Sequence, residues 1–122
     1  MDKNDLKQRT KKFSLEIIKI IELIPKTKIG YTIANQMIRS ATSVGANYRA
    51  ACRAKSDKDL LNKLLIVEEE ADETLYWLEL LQETKTLNEN VLDNIMKECD
   101  ELVAIFTSAG KKMRNKINNK TE

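Results

Sequence analysis

The chain has 122 residues, of which 42% are hydrophobic and 33% are charged, with a net charge of +2, three glycines and one proline. This composition excludes collagen-like, low-complexity and disordered chains, and the scarcity of turn-forming residues favours a few long helices over a many-stranded sheet. No run of about 18 apolar residues predicts a membrane span, and the N-terminus lacks the apolar core of a signal peptide. We therefore expect one cytoplasmic domain with no membrane contact.

The first two helices are predicted on either side of Pro25. An apolar stripe at spacings of three and four predicts the first over residues 5–24, and the proline ends it. A second stripe predicts the next helix over residues 31–55. The two stripes consist of Phe13, Ile17, Ile20 and Ile24, and of Ile33, Met37, Ala41, Val44, Tyr48 and Ala51 or Cys52.

Two further helices are predicted in the second half. Ser56 is typical of a residue that caps a helix N-terminus, so the third helix is expected over residues 57–83. Thr86 and Glu89 fit a capping box that begins the fourth helix. Gly110 is a typical helix end. The two core faces consist of Leu60, Leu64, Val67, Ala71, Leu75 or Thr74, and Leu78, and of Leu92, Ile95, Cys99, Leu102, Phe106, Ala109 and Met113.

Four long helices with short connections predict an all-α fold, an antiparallel up-down-up-down four-helix bundle. We expect the bundle to occupy residues 1–110 and to be followed by a basic, flexible C-terminal tail over residues 111–122.

Charge is segregated along the chain. Residues 1–56 hold 12 Lys/Arg and 4 Asp/Glu, residues 57–101 hold 4 and 14, and residues 102–122 hold 5 and 1. One interpretation is a basic helix pair packed beside an acidic pair. The other adds a basic face open to an anionic partner, or opposite faces that meet between subunits.

The basic residues of the second helix have two interpretations. Arg39, Arg49, Arg53 and Lys55 lie along its second half. Guanidinium groups offer planar sets of donors that suit phosphate, so these four are the candidate nucleic-acid-binding residues. They equally suit ion pairs with carboxylates on the third helix.

The third helix carries a matching set of acids. Glu69, Asp72 and Glu73 share a helix face, where they could hold a divalent cation or form ion pairs with Arg49, Arg53 or Lys19. The chain has no histidine to support a metal site, and we expect no metal and no cofactor. Because Tyr76 and Trp77 are adjacent, one of them is expected to point outward.

Small and neutral polar residues form a second line along the second helix. This line allows either close packing inside one bundle or a seam between subunits. Its members are Gln36, Ser40, Ser43, Asn47, Ala50 and Ala54. We predict an oligomer or ion-pair interface built from Asn47, Glu69, Asp72, Glu73 and Trp77.

Catalysis is not indicated. The sequence has no nucleophile–base pair, no glycine-rich phosphate loop and no Cys/His metal spacing. Cys52 and Cys99 are far apart and are expected to be unpaired in a reducing compartment.

Three blocks of the chain are more specific than any short motif. They are LIPK, NQMIRSATSVGANYRAACRAKS and VEEEADETLYWLELL, in this order over residues 13–108. With them the chain resembles the bacterial four-helix-bundle family of 23S rRNA intervening-sequence proteins. Many members carry a Glu where this chain has Ala50, so a polar link made by that Glu would be absent here.

The resemblance implies an antiparallel bundle that forms ring-like homo-oligomers, with five subunits as the expected number. A similar bundle is the accessory protein of diversity-generating retroelements, which binds nucleic acid and a reverse transcriptase. The family resemblance also implies that the coding sequence lies within an rRNA-gene insertion. The residues that match the signature are Arg39, Asn47, Arg49, Arg53, Glu69, Asp72, Glu73 and Trp77.

The leading hypothesis is a non-enzymatic oligomeric bundle that binds structured RNA or DNA through basic residues of the first two helices and the tail. The alternative is a scaffold that assembles as a homo-oligomeric ring and docks a protein partner. A carboxylate metal enzyme at Glu69, Asp72 and Glu73 is a distant third.

Overall fold

A computed structural model describes residues 1–120, and they form four helices and no strand. The helices are α1 (Lys3–Ile21), α2 (Lys28–Ala51), α3 (Asp57–Glu83) and α4 (Glu89–Lys120). Each helix packs against the next along the chain, and α1 also contacts α4, which closes the four into one bundle. The predicted all-α four-helix bundle is confirmed. No helix in the described part of the chain is long and apolar enough to cross a membrane.

Side chains cap the first three helices. The carboxylate of Asp2 accepts a hydrogen bond from the backbone of Asp5, and the hydroxyls of Thr27 and Ser56 do the same for Gly30 and Asp59. Each bond satisfies a backbone N–H that has no partner inside its helix. Because Asp2 and Thr27 provide these caps, α1 and α2 begin before their predicted starts.

The core consists largely of the predicted stripes. Phe13, Met37, Val67 and Phe106 are at most 1% exposed, and side chains from all four helices meet there. Leu60 is only half-buried, and Leu81 is fully buried although it was not predicted. Thr74 is the buried member of the pair that the sequence left open, and Leu75 is half-buried. The heptad-like spacing in α4 therefore identified its buried face correctly.

The predicted end of α4 at Gly110 is wrong, because the helix continues to Lys120. Gly110 is buried in a helical conformation against α3, where a Cβ atom on it would lie 3.6 Å from Leu65. Beyond it, Met113 packs on the edge of the core. The predicted tail is therefore helical over residues 111–120, and its last two positions lie outside the described residues.

Three other boundaries also differ from the prediction. The helix α1 ends at Ile21 rather than at Ile24. The helix α2 ends at Ala51 rather than near Lys55. The helix α4 begins at Glu89, where the side chain of Asn88 accepts a hydrogen bond of 3.0 Å from the backbone of Asn90. The hydroxyl of Thr86 lies instead 2.7 Å from that of Thr84.

Candidate nucleic-acid interface

One end of the bundle collects basic residues from all four helices. The up-down topology brings together the start of α1, the end of α2, the start of α3 and the end of α4. The carboxylate of Asp57 fixes this arrangement, because Lys116 and Lys120 contact it at 3.6 and 2.6 Å. The exposed basic residues at this end include Lys3, Arg53, Lys55, Lys58, Lys111, Lys112 and Arg114.

A basic groove runs between α1 and α2 near this end. It encloses about 400 Å³ and is lined by the cations of Lys7, Lys11 and Arg49 and by no carboxylate. Its remaining lining is small or polar, namely Gln8, Ser14, Thr42, Gly45 and Ala46. We call these eight residues the basic groove.

The two helices lie close together beneath the groove. The hydroxyl of Ser14 donates to the carbonyl of Ala41 across the interface at 3.0 Å, and it also lies 3.2 Å from the carbonyl of Thr10. A Cβ atom on Gly45 would lie 3.5 Å from that same Thr10 carbonyl. The small residues of α2 therefore form the bottom of a shallow groove, and the longer cationic side chains extend above it.

Three of the predicted nucleic-acid-binding residues lie at this end. Arg49 lines the basic groove, Arg53 is exposed one turn further along, and Lys55 follows α2 in the loop. Among the described residues, neither Arg49 nor Arg53 makes an ion pair within 4.0 Å. Their guanidinium groups are therefore available to an external anion.

The fourth predicted residue, Arg39, lies elsewhere. Its guanidinium donates to Glu70 at 3.0 Å and to Glu73, so it joins α2 to α3. Trp77 donates to the same Glu73 carboxylate at 3.2 Å. Burial works against the charge of Glu73, but the hydrogen bonds from Trp77 and Arg39 outweigh it and lower the pKa of this carboxyl.

The other predicted interface residues are divided. Glu69 and Asp72 are exposed, and no ion pair joins either to the described part of the chain. Glu73 is paired with Arg39 rather than with Arg49, Arg53 or Lys19. Asn47 is half-buried and donates to the carbonyl of Ser43 within its own helix at 2.8 Å.

Sequence reasoning missed the two lysines of the basic groove. Lys7 and Lys11 are four residues apart, so they lie on one face of α1, and this spacing was the available signal. The sequence did not show that the basic residues of α1 lie on two sides of the helix, because this depends on packing. Arg9 points away from the groove, toward α4. Its guanidinium makes two 2.7 Å hydrogen bonds to Glu98 of α4.

The carboxylates do not form a metal centre in the described residues. No group of three or more His, Cys, Asp and Glu side chains within residues 1–120 is placed to hold a metal ion. Neither cysteine is in a disulfide. The arrangement at the basic end instead suits electrostatic contact with an extended anion.

Comparisons with known proteins agree with this fold. A solved structure from Bacteroides thetaiotaomicron VPI-5482, described as a protein with unknown function from the S23 ribosomal protein family, is 33% identical. It superposes with a TM-score of 0.80 over 87% of this chain and 98% of that one. No curated protein matches the chain. A family model matches residues 2–108, and the chain belongs to the 23S rRNA-intervening sequence protein family.

Proposed function

We propose that this protein is a non-enzymatic nucleic-acid-binding protein whose contacts are made at the basic end of the bundle. The observation that carries the proposal is the basic groove, in which Arg49 faces Lys7 and Lys11 with no carboxylate in the lining. Arg53 and Lys55 extend the same positive surface. Arg39 has a different role in this proposal, because its charge is already paired with two carboxylates.

Recognition of this kind is directed at phosphate rather than at bases. A cation that neutralises a phosphate releases a condensed counterion, which makes binding favourable and strongly dependent on salt. The lining of the basic groove has no aromatic side chain on which a base could stack. Structured RNA is the favoured partner, since its shape and backbone can be bound without base readout.

Charge reversal in the groove tests the proposal. We expect Arg49→Glu/Arg53→Glu to weaken binding to a labelled structured RNA at least about tenfold at roughly 100 mM salt and to reduce the salt slope by about 2. Fluorescence anisotropy across about 50–300 mM salt measures both quantities. Circular dichroism verifies that the variant remains folded.

A matched control lies at the other end of the bundle. Lys26 and Lys28 are exposed and make no ion pair in the described residues, so Lys26→Glu/Lys28→Glu changes the net charge by the same amount. We expect this control to retain most of the affinity. Equal losses of RNA affinity in the two variants would show that net charge, and not the basic groove, determines binding. Wild-type protein that fails to bind RNA at low salt would refute the proposal.

A second candidate function is a scaffold that assembles from copies of this chain. On the outer face of α1, Lys7, Lys11, Leu15 and Ile18 follow one another at helical spacings. Leu15 is 52% exposed and Ile18 is 40% exposed. A basic and partly apolar stripe of this kind suits a protein surface of opposite charge.

The outer face of α3 provides such a surface. Ile66 and Tyr76 are exposed there, with Glu69 between them. Contact between two different faces is heterologous, and it closes into a ring when the rotation allows. A ring of five subunits, the number implied by the family resemblance, would leave other faces for a protein partner.

Light scattering tests the scaffold. The scaffold requires a multiple of the 14.0 kDa chain mass in wild-type protein and a smaller mass in Ile66→Glu/Tyr76→Glu. A 14.0 kDa particle at all concentrations would refute the scaffold and leave nucleic-acid binding unaffected.

A further inference from the structure

The last turns of α4 form a separate basic element. Residues 111–120, which we call the C-terminal arm, contain five cations and no acid. The arm continues α4 as helix to Lys120. Because about 1.5 Å is added per residue, ten residues extend the helix by roughly 15 Å.

Contacts with α3 fix the arm in place. A Cβ atom on Gly110, immediately before the arm, would lie 3.6 Å from Leu65 of α3, and Met113 packs on the edge of the core. Near its end, Lys116 and Lys120 both contact the carboxylate of Asp57. The first of these contacts is apolar and the second is ionic, so the arm has an anchor at each end.

The other three cations of the arm are available. Lys111, Lys112 and Arg114 are exposed, and none of them makes an ion pair with the described part of the chain. Asp57 lies two residues after Lys55, so its bonds to the arm bring these charges to the same end of the bundle as Arg53 and Lys55.

The arm also lies beyond the region that defines the family. The family model ends at residue 108, and the Bacteroides structure corresponds to 87% of this chain while 98% of its own length is matched. The arm therefore lies outside the part of the chain that the family model matches.

We infer that the C-terminal arm is a second phosphate-binding element, which extends the nucleic-acid contact from the basic groove across the end of the bundle. Lys111, Lys112 and Arg114 contact phosphates directly. Lys116 and Lys120 hold the arm through Asp57. This inference rests on the proposed function and adds to it a binding element outside the residues that the family model matches.

The test neutralises the three available cations in the full chain. Lys111→Gln/Lys112→Gln/Arg114→Gln keeps good helix-forming residues and leaves both lysines that contact Asp57. With a structured RNA in anisotropy titrations, we expect the slope of log K against log salt to fall in magnitude by about 2 to 3, because three phosphate contacts are lost.

The control is Lys19→Gln/Lys26→Gln/Lys28→Gln, which removes three exposed cations away from the basic end. It should leave the slope within about one unit of the wild-type value. A slope unchanged in the arm variant, with RNA binding retained in the wild type and reduced by Arg49→Glu/Arg53→Glu, would overturn the arm and keep the proposed function. Wild-type protein that does not bind RNA would instead overturn both.

Discussion

Cys99 illustrates how the core treats a polar atom. Its thiol is fully buried and donates to the carbonyl of Ala71 on α3 at 3.2 Å. Burial raises the pKa of this thiol to about 12, with smaller contributions from nearby carboxylates such as Asp100 and Asp72. Cys52, by contrast, is half-buried at the end of α2. The two cysteines therefore differ in their access to solvent.

We expect this difference to appear in labelling kinetics. At about pH 8, Cys52 should react with a small maleimide at least about tenfold faster than Cys99, because the Cys99 thiol is fully buried and its raised pKa keeps it protonated. Mass spectrometry of Cys52→Ala and Cys99→Ala proteins assigns the two rates. Rapid modification of Cys99 in folded protein would contradict its placement in the core, and both thiols should react equally in denaturant.

Ser40 and Thr74 show that one part of the small-residue line belongs to a single bundle. Both residues are fully buried, and their hydroxyl oxygens lie 2.8 Å apart between α2 and α3. Each hydroxyl also reaches a backbone carbonyl of its own helix, Met37 for Ser40 and Glu70 for Thr74. Close packing inside the bundle therefore accounts for Ser40, one of the positions for which a subunit seam was the alternative.

At the scale of the helices, two glycines have opposite roles. A Cβ atom on Gly30, in the first turn of α2, would overlap the carbonyl oxygen of Pro25. Gly110 lies inside α4 with ordinary contact distances around it. The first glycine is needed for a close backbone approach, whereas the second costs helix stability without a steric requirement.

Alanine substitutions should therefore have opposite signs. We expect Gly30→Ala to reduce the free energy of unfolding by about 1–3 kcal/mol through overpacking. Gly110→Ala should increase it by about 0.5–1 kcal/mol, the difference in helix propensity. Urea unfolding followed by circular dichroism measures both. A loss of stability in Gly110→Ala would indicate that the helix ends there, as the sequence alone predicts.

The ends of the helices mark what sequence patterns can resolve. The apolar stripes identified the buried faces because their spacing follows directly from helix geometry. Glycine is frequent at helix ends, so Gly110 predicts one, yet beyond it Met113 packs on the edge of the core and two lysines pair with Asp57. These contacts join residues far apart in sequence, so no local pattern could reveal them.

At the scale of the whole molecule, opposite charges on different helices pair with each other across the bundle. Arg9 links α1 to Glu98 of α4, and Arg39 links α2 to Glu73 of α3. The hydrogen bonds that Arg9 donates to Glu98 raise the pKa of Arg9, and the one that Arg39 donates to Glu73 does the same for Arg39. The basic and acidic halves of the sequence thus meet inside one subunit. Arg49 is exposed and makes no ion pair with the described residues.

This arrangement predicts a loss of stability in acid. Glu73 has a lowered pKa in the folded protein, so its contribution is present above the pKa of the unfolded chain, near 4, and is lost as the pH falls further. We expect Glu73→Gln to reduce stability at pH 7 by less than about 1 kcal/mol and to make the decline between about pH 5 and 3 shallower.

A neighbouring acid provides the comparison. Glu69 lies one turn before Glu73 and makes no ion pair in the described residues, so Glu69→Gln should retain the wild-type pH profile. Urea midpoints at several pH values measure the difference. Identical profiles for Glu73→Gln and the wild type would show that the pair with Arg39 does not contribute to folding.

The candidate site was predicted only in part. Arg49 and Arg53 could be predicted as candidate binding residues from the sequence alone, because their charge and their spacing of one helical turn are visible there. Their separation from Arg39 could not be predicted, since the line of basic residues turns around α2 and only packing decides which member meets α3. The role of Lys7 depended equally on where α1 lies.

The position of Trp77 provides an optical probe. It is the single tryptophan of the chain, and its indole donates to Glu73 where Arg39 joins α2 to α3. When the light excites only indole, the fluorescence emission therefore reports on one helix junction in the middle of the bundle. Separation of α2 from α3 would change this signal without any added dye, and an RNA bound beside Lys55 would be too remote to quench it by contact.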